Sequence, residues 1–127
     1  MEINSILNKL FDTVLYDNDE KADEAEATIV MYPLIDIGRF ALDSDDRPGI
    51  MGYATRVFVR LYLQTINPED DLQMVYHDLL KHPKSIVREG VLWGAHDSNN
   101  REVINHFLND SSIDITSLAI ELLDFLP

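Results

Sequence analysis

Four histidines, His77, His82, His96 and His106, are the side chains in this sequence best suited to metal binding or proton transfer. Two stand in His-Asp dipeptides, His77-Asp78 and His96-Asp97. Asp78 and His82 are four apart, the spacing that puts two side chains on one face of a helix. A metal phosphohydrolase built on a His-Asp pair needs another histidine upstream and a distant aspartate. His77 is the first histidine of the chain, so the upstream ligand is missing. With no cysteine, thiolate metal sites, cysteine nucleophiles and disulfides are excluded. The only dense glycine neighbourhood, Gly49-Ile50-Met51-Gly52, lacks the Lys-Ser or Lys-Thr that completes a phosphate loop. No Gly-x-Ser-x-Gly elbow occurs either. Carboxylates are plentiful but lie in polar runs, where solvation keeps them ionised and ordinary. The expectation is no enzyme, no metal and no cofactor, with His82 near a helix C-terminus and His96 and His106 facing solvent.

Charge carries more information than these motifs. The 127 residues hold 23 Asp plus Glu against 10 Lys plus Arg, a net charge of −13. That balance excludes a nucleic-acid binder, which needs clustered bases to meet phosphates. No apolar run is long enough to span a membrane and the N-terminus lacks a basic leader, so a cytoplasmic protein is expected. The acids are unevenly spread, with −9 in residues 1–71 and −4 in residues 72–127. They gather in three clusters: Asp17, Asp19, Glu20, Asp23, Glu24 and Glu26; Asp43, Asp45 and Asp46; and Glu69, Asp70 and Asp71. Aligned along one edge, such clusters would form a negative surface that speeds capture of a basic protein. All of these but Glu26, eleven residues, are the candidate partner-binding set. As helix-start acids and solubilising charge, they would equally serve the fold alone.

The elements that would position them are read from hydrophobic periodicity. At 46% hydrophobic, the chain has the apolar content and length for one folded domain, and it can bury roughly two-thirds of its unfolded surface. Residues 2–16 place Ile3, Ile6, Leu7, Leu10, Phe11, Val14 and Leu15 on one helical stripe. Residues 17–19 can cap a second helix. Around Pro33, either one helix ends and another starts, or a single helix kinks. Residues 43–49 read as a loop and residues 50–66 as a largely buried helix. Asn67 is expected to cap the next helix with Pro68 at its first position, ending at His82-Pro83. Further helices cover about residues 85–95, the stretch after an Asn99/Glu102 capping pair, and residues 114–126. The fold class expected is all-α, about six or seven helices in antiparallel pairs, with residues 1–66 less regular than residues 67–127.

The second half repeats at a spacing of 28 residues. Leu79-Leu80-Lys81-His82-Pro83 matches Phe107-Leu108-Asn109-Asp110-Ser111, and the run from Val87-Arg88 matches the run from Ile115-Thr116. The first of these, with Gly90 following Val87-Arg88, resembles the HEAT repeat, in which a helix ends at an acid or proline turn and its partner opens with Val-Arg. Thr116 departs from that pattern. The resemblance implies a HEAT-like stack of helix pairs sharing one core, because no pair can bury its apolar face alone. In size, charge and helical pattern the chain also resembles the small acidic immunity proteins of bacterial contact-dependent growth inhibition and related polymorphic toxin systems. That resemblance implies a basic protein partner, a cognate toxin domain such as a nuclease, neutralised by an acidic surface over its active site. The alternative is a HEAT-like adaptor with a peptide ligand, for which Tyr53, Tyr62, Tyr76 and Trp93 are the residues of interest. All four also sit at core spacing. Oligomeric state is not specified by anything in the sequence.

Overall fold

The structure, a computed structural model, describes residues 2–44 and 47–127. Among these residues the chain is all-helical, with no strand: α1 Ile3–Tyr16, α2 Asp19–Ile29, α3 Leu34–Asp43, α4 Pro48–Tyr62, α5 Asp70–Leu80, α6 Ser85–Asp97, α7 Arg101–His106, a 3-10 turn Phe107–Asn109, and α8 Ile113–Asp124. That is eight α-helices where six or seven are expected. Pro33 breaks the chain outright, so α2 stops at Ile29 and α3 starts at Leu34 with Pro33 as its cap. Asn18 caps α2 as anticipated, its side-chain oxygen accepting from the Lys21 amide at 2.9 Å.

Two asparagines behave differently from the expectation. Asn67 does not cap α5, whose cap is Glu69. Asn67 instead has a φ of 52°, a left-handed backbone that asparagine tolerates better than most residues, and it reverses the chain after α4. Asn99 does the same after α6, with a φ of 54°. The capping role passes to Asn100, whose side chain accepts from the Val103 amide at 3.0 Å. In each case a turn must first redirect the chain before a helix can start, and the first asparagine of the turn takes that role. α4 also differs: it starts at Pro48, whose fixed φ suits a first helical position, and ends at Tyr62. Beyond Tyr62 the amides of Gln64 and Thr65 bond three residues back, a tightened turn in place of further helix.

The 28-residue spacing is kept between α6 and α8, although α5 has 11 residues and α7 only six before a 3-10 turn. α6 and α8 begin 28 positions apart, and the equivalent residues Leu79 and Phe107, Val87 and Ile115, and Val91 and Ala119 are all buried. Arg88 donates to the carbonyl of His82 at 2.8 Å. At the matching position Thr116 donates through its hydroxyl to the carbonyl of Asp110, the repeat equivalent of His82, at 3.2 Å. The departure from the Val-Arg pattern therefore keeps the bond to the turn while dropping the charge.

One core runs through the helices, with Phe11, Phe58 and Phe107 among its fully buried side chains. Phe11 stacks on Phe40 at 5.4 Å and meets Tyr53 edge-on at 6.1 Å, fastening α1 to α3 and α4. Phe58, Tyr62 and Tyr76 stack in series, with 5.7 and 4.4 Å between ring centres, and join α4 to α5. α4 and α6 meet most closely, because glycines lie where they cross. A Cβ on Gly90 would stand 2.9 Å from Thr55 Cβ, and one on Gly94 would stand 2.7 Å from Val59 Cβ. Thr55 is fully buried in this seam and donates its hydroxyl to the Met51 carbonyl at 2.8 Å, so its own polar group is satisfied there.

Candidate protein-binding surface

Helix ends decide where the acidic residues lie. Asp17 follows α1 and its carboxylate accepts from the Asn18 amide at 2.9 Å. Asp19 and Glu20 occupy the first turn of α2, where the positive end of the helix dipole favours them, and Asp23 and Glu24 the next. Asp43 is the last residue of α3. Glu69 caps α5, and Asp70 and Asp71 fill its first turn. All nine of these side chains are exposed. Asp45 and Asp46 lie outside the described residues.

The α5 cluster lies beside α3. Arg39 on α3 stands one turn before Asp43 and 3.9 Å from Asp71, so Asp43 and the start of α5 share one neighbourhood. The α2 acids are elsewhere. Asp43 lines a depression with Asn4, Ser5 and Asn8 at the beginning of α1, while Asp17 follows its end. A 14-residue helix is about 21 Å long, so the two groups are separated by roughly that length of α1.

Three arginines are engaged with carboxylates outside the clusters. Arg47 binds Asp12 at 2.7 Å, Arg56 binds Asp97 through two bonds of 2.7 and 2.9 Å, and Arg88 binds Asp110 through two bonds of 2.9 and 3.0 Å. These pairs tie together residues 22 to 41 positions apart, so they serve the fold. Burial alone would raise the Asp110 pKa, but the bonds from Arg88 and from the Ser112 amide outweigh it and hold the carboxyl below its ordinary value. Among the described residues, Asp19, Glu20, Asp23, Glu24, Asp43, Glu69 and Asp70 form no ion pair.

On α2 the acids divide between two flanks. Ala25 and Ile29 face inward, and Lys21, Glu24 and Thr28 border a shallow groove with Leu10 and Thr13 of α1. Asp19, Asp23 and Glu26, at i, i+4 and i+7, share the other flank. There Glu26 accepts a short hydrogen bond from the Tyr53 hydroxyl on α4. Burial, that bond and the Glu26 charge push the Tyr53 phenol up to about 12.

Tyr53 opens onto a second groove, of about 220 Å³, between the end of α1, α4 and α6. Its walls include Leu15, Tyr53, Arg56, Glu89 and Trp93, and Gly52 and Gly90 leave it without side chains where α4 and α6 cross. The Arg56 guanidinium lies 5.1 Å from the centre of the Trp93 ring, and Asp97 holds it firmly charged. Tyr53 and Trp93 are thus half-exposed groove residues, whereas Tyr76 is buried and Tyr62 stacks on it. Glu26 belongs to the first acidic cluster but not to the eleven candidate residues, and Glu89 and the groove itself fall outside both. The i, i+4, i+7 spacing of Asp19, Asp23 and Glu26 is the signal that points to the first of them; nothing in sequence brings Glu89 to Tyr53.

The histidines are scattered. His77 is exposed on α5, and His82, expected at the end of that helix, lies beyond its C-cap Lys81 and accepts from the Lys84 amide through Nδ1. His96 is half-buried with its ring edge-on to Trp93 at 5.9 Å, a departure from the solvent-facing position expected, because α6 continues to Asp97. His106 is exposed. Among the described residues no three His, Asp or Glu side chains converge as a metal site, and no helix is long and apolar enough to cross a membrane. Comparison with protein-family models, with curated proteins and with solved structures finds no match.

Proposed function

We propose that this chain is a non-catalytic protein-binding domain that captures a basic protein through its exposed acids. The partner that fits best is a toxin domain held inactive by an immunity protein of the kind the sequence resembles. One observation carries the reading: Arg39, Arg47, Arg56 and Arg88 pair with Asp71, Asp12, Asp97 and Asp110, while among the described residues Asp19, Glu20, Asp23 and Glu24 of α2 and Glu69 and Asp70 of α5 are exposed and form no ion pair. Left uncompensated, they raise the local concentration of a basic partner and its rate of encounter. The adaptor reading draws support from the half-exposed Tyr53 and Trp93 in one groove. It uses the same molecule to hold a peptide.

The test is affinity capture from the native host at low ionic strength, with the wild-type chain beside a variant carrying Asp19→Lys, Asp23→Lys, Glu69→Lys and Asp70→Lys. A strongly basic protein retained by the first and lost by the second is expected. Its expression alone should arrest growth, and co-expression of this chain should restore it. If nothing basic copurifies, or the retained protein is indifferent to the reversal, the reading falls.

A further inference from the structure

We infer that the groove between α4 and α6 receives an arginine side chain of the partner, with Tyr53 and Trp93 as its aromatic walls and Glu89 and Glu26 as its counterions. The inference rests on the proposed capture of a basic protein and names where its central contact is made.

The groove has the chemistry for a planar cation. The Arg56 guanidinium already lies over one face of Trp93, 5.1 Å from its ring centre, which leaves the other face and the Tyr53 ring to an incoming cation. Arg56 does not make the groove positive, because Asp97 neutralises it through two bonds of 2.7 and 2.9 Å. Glu89 lines the groove and Glu26 is bound to the Tyr53 hydroxyl, so these two acids and Asp97, set against Arg56 and the nearby Arg60, carry a net charge of −1. Asp19 and Asp23 extend that field along the flank of α2 that holds Glu26. A cavity of about 220 Å³ is the size of one large side chain and too small for a helix. Arginine fits better than lysine because its flat guanidinium can lie against an aromatic face while donating to a carboxylate.

Trp93 is the chain's one tryptophan, so it reports directly on its own groove. Titrating the whole protein at low ionic strength with acetyl-Ala-Arg-Ala-amide should change its emission saturably. Acetyl-Ala-Glu-Ala-amide should not. Glu89→Gln, which keeps the side-chain shape, should weaken the response about 10-fold, the scale of one charge-assisted bond. Glu69→Gln with Asp70→Gln, on α5, should leave it unchanged. Far-ultraviolet circular dichroism of each variant establishes that it is folded. An unsaturable response, or one equal for the two peptides, overturns the inference, as does a folded Glu89→Gln chain that binds like the wild type. The two proposals fail separately. If a basic partner is captured but its retention survives Glu89→Gln and Trp93→Phe while yielding to the α5 substitutions, capture stands and the groove assignment falls. If no basic partner exists, both fall.

Discussion

Replacing Asp110 with alanine should cost this domain about 4 kcal/mol, because it strands a buried cation. The side chains of Asp110 and Arg88 are only 9% and 12% exposed, and two parallel bonds join them. Removing the carboxylate leaves a buried guanidinium with only the His82 and Pro83 carbonyls as acceptors, at 2.8 and 3.1 Å. Breaking a buried pair from one side costs about 3–5 kcal/mol, and losing the Ser112 amide's acceptor adds to it. With a urea m-value of about 2 kcal/mol per molar, a loss of about 4 kcal/mol lowers the unfolding midpoint by about 2 M. The double variant Arg88→Met/Asp110→Ala removes both charges, and apolar replacement of a buried pair is often close to neutral. It should therefore be at least as stable as Asp110→Ala alone, a coupling of about 2 kcal/mol or more. Equilibrium urea unfolding followed by circular dichroism measures all four corners of the cycle. A midpoint shift below about 0.5 M for Asp110→Ala, or additive costs in the double variant, would refute the reasoning.

The same pair sets an acid limit. Its carboxyl has a depressed pKa in the folded state, so as pH falls below the unfolded value of about 3.9 the unfolded chain takes up the proton first. The pair's contribution is fully present at neutral pH and disappears as pH falls through the folded value. Urea midpoints should therefore drop more steeply on acidification for the wild type than for Arg88→Met/Asp110→Ala; parallel profiles would contradict this. Gly90→Ala should destabilise despite alanine's better helix propensity, because its Cβ would run into the Gly52 carbonyl oxygen and press on Thr55; about 1–3 kcal/mol, read as a fall in Tm, is expected. A rise in Tm would show that the seam has room. Asn100→Ala should cost about 1 kcal/mol for the lost cap, whereas Asn99→Gly, at a positive φ, should change stability by only a few tenths or raise it. In spectrophotometric titration, Tyr53 and Tyr76 should ionise near pH 12, and Tyr53→Phe should remove one of these late transitions.

Periodicity made the helices legible because each has a dry face, and burial of that face is what forms it. Leu7 and Phe11 in α1, or Ile115, Ala119 and Leu122 in α8, can be picked out by spacing alone. Helix starts were less so. Asn67 and Asn100 are the same residue type, yet one turns the chain and the other caps a helix; the choice depends on the direction the chain must take to pack. The charged clusters were visible, but not their placement: Asp71 meets Arg39 32 positions away only because α3 packs beside α5. The groove was the least legible part. Its floor consists of glycines, which declare nothing until their neighbours are known, and its walls come from α1, α4 and α6.

The glycine seam between α4 and α6 also bears on how the groove would work. With almost no side-chain layer between the helices at Gly52, Gly90 and Gly94, they cannot rock against each other without backbone atoms colliding. The groove floor is therefore held in one shape before anything enters it. A ligand docking there would meet a preorganised cleft, with little conformational entropy to lose on the protein side. Association would then be governed by encounter and desolvation, and tight binding could coexist with a rapid on-rate. Breathing motions would be confined to the outer pairs, α1 with α2 and α7 with α8. Their amides should exchange with solvent long before those of α4 and α6.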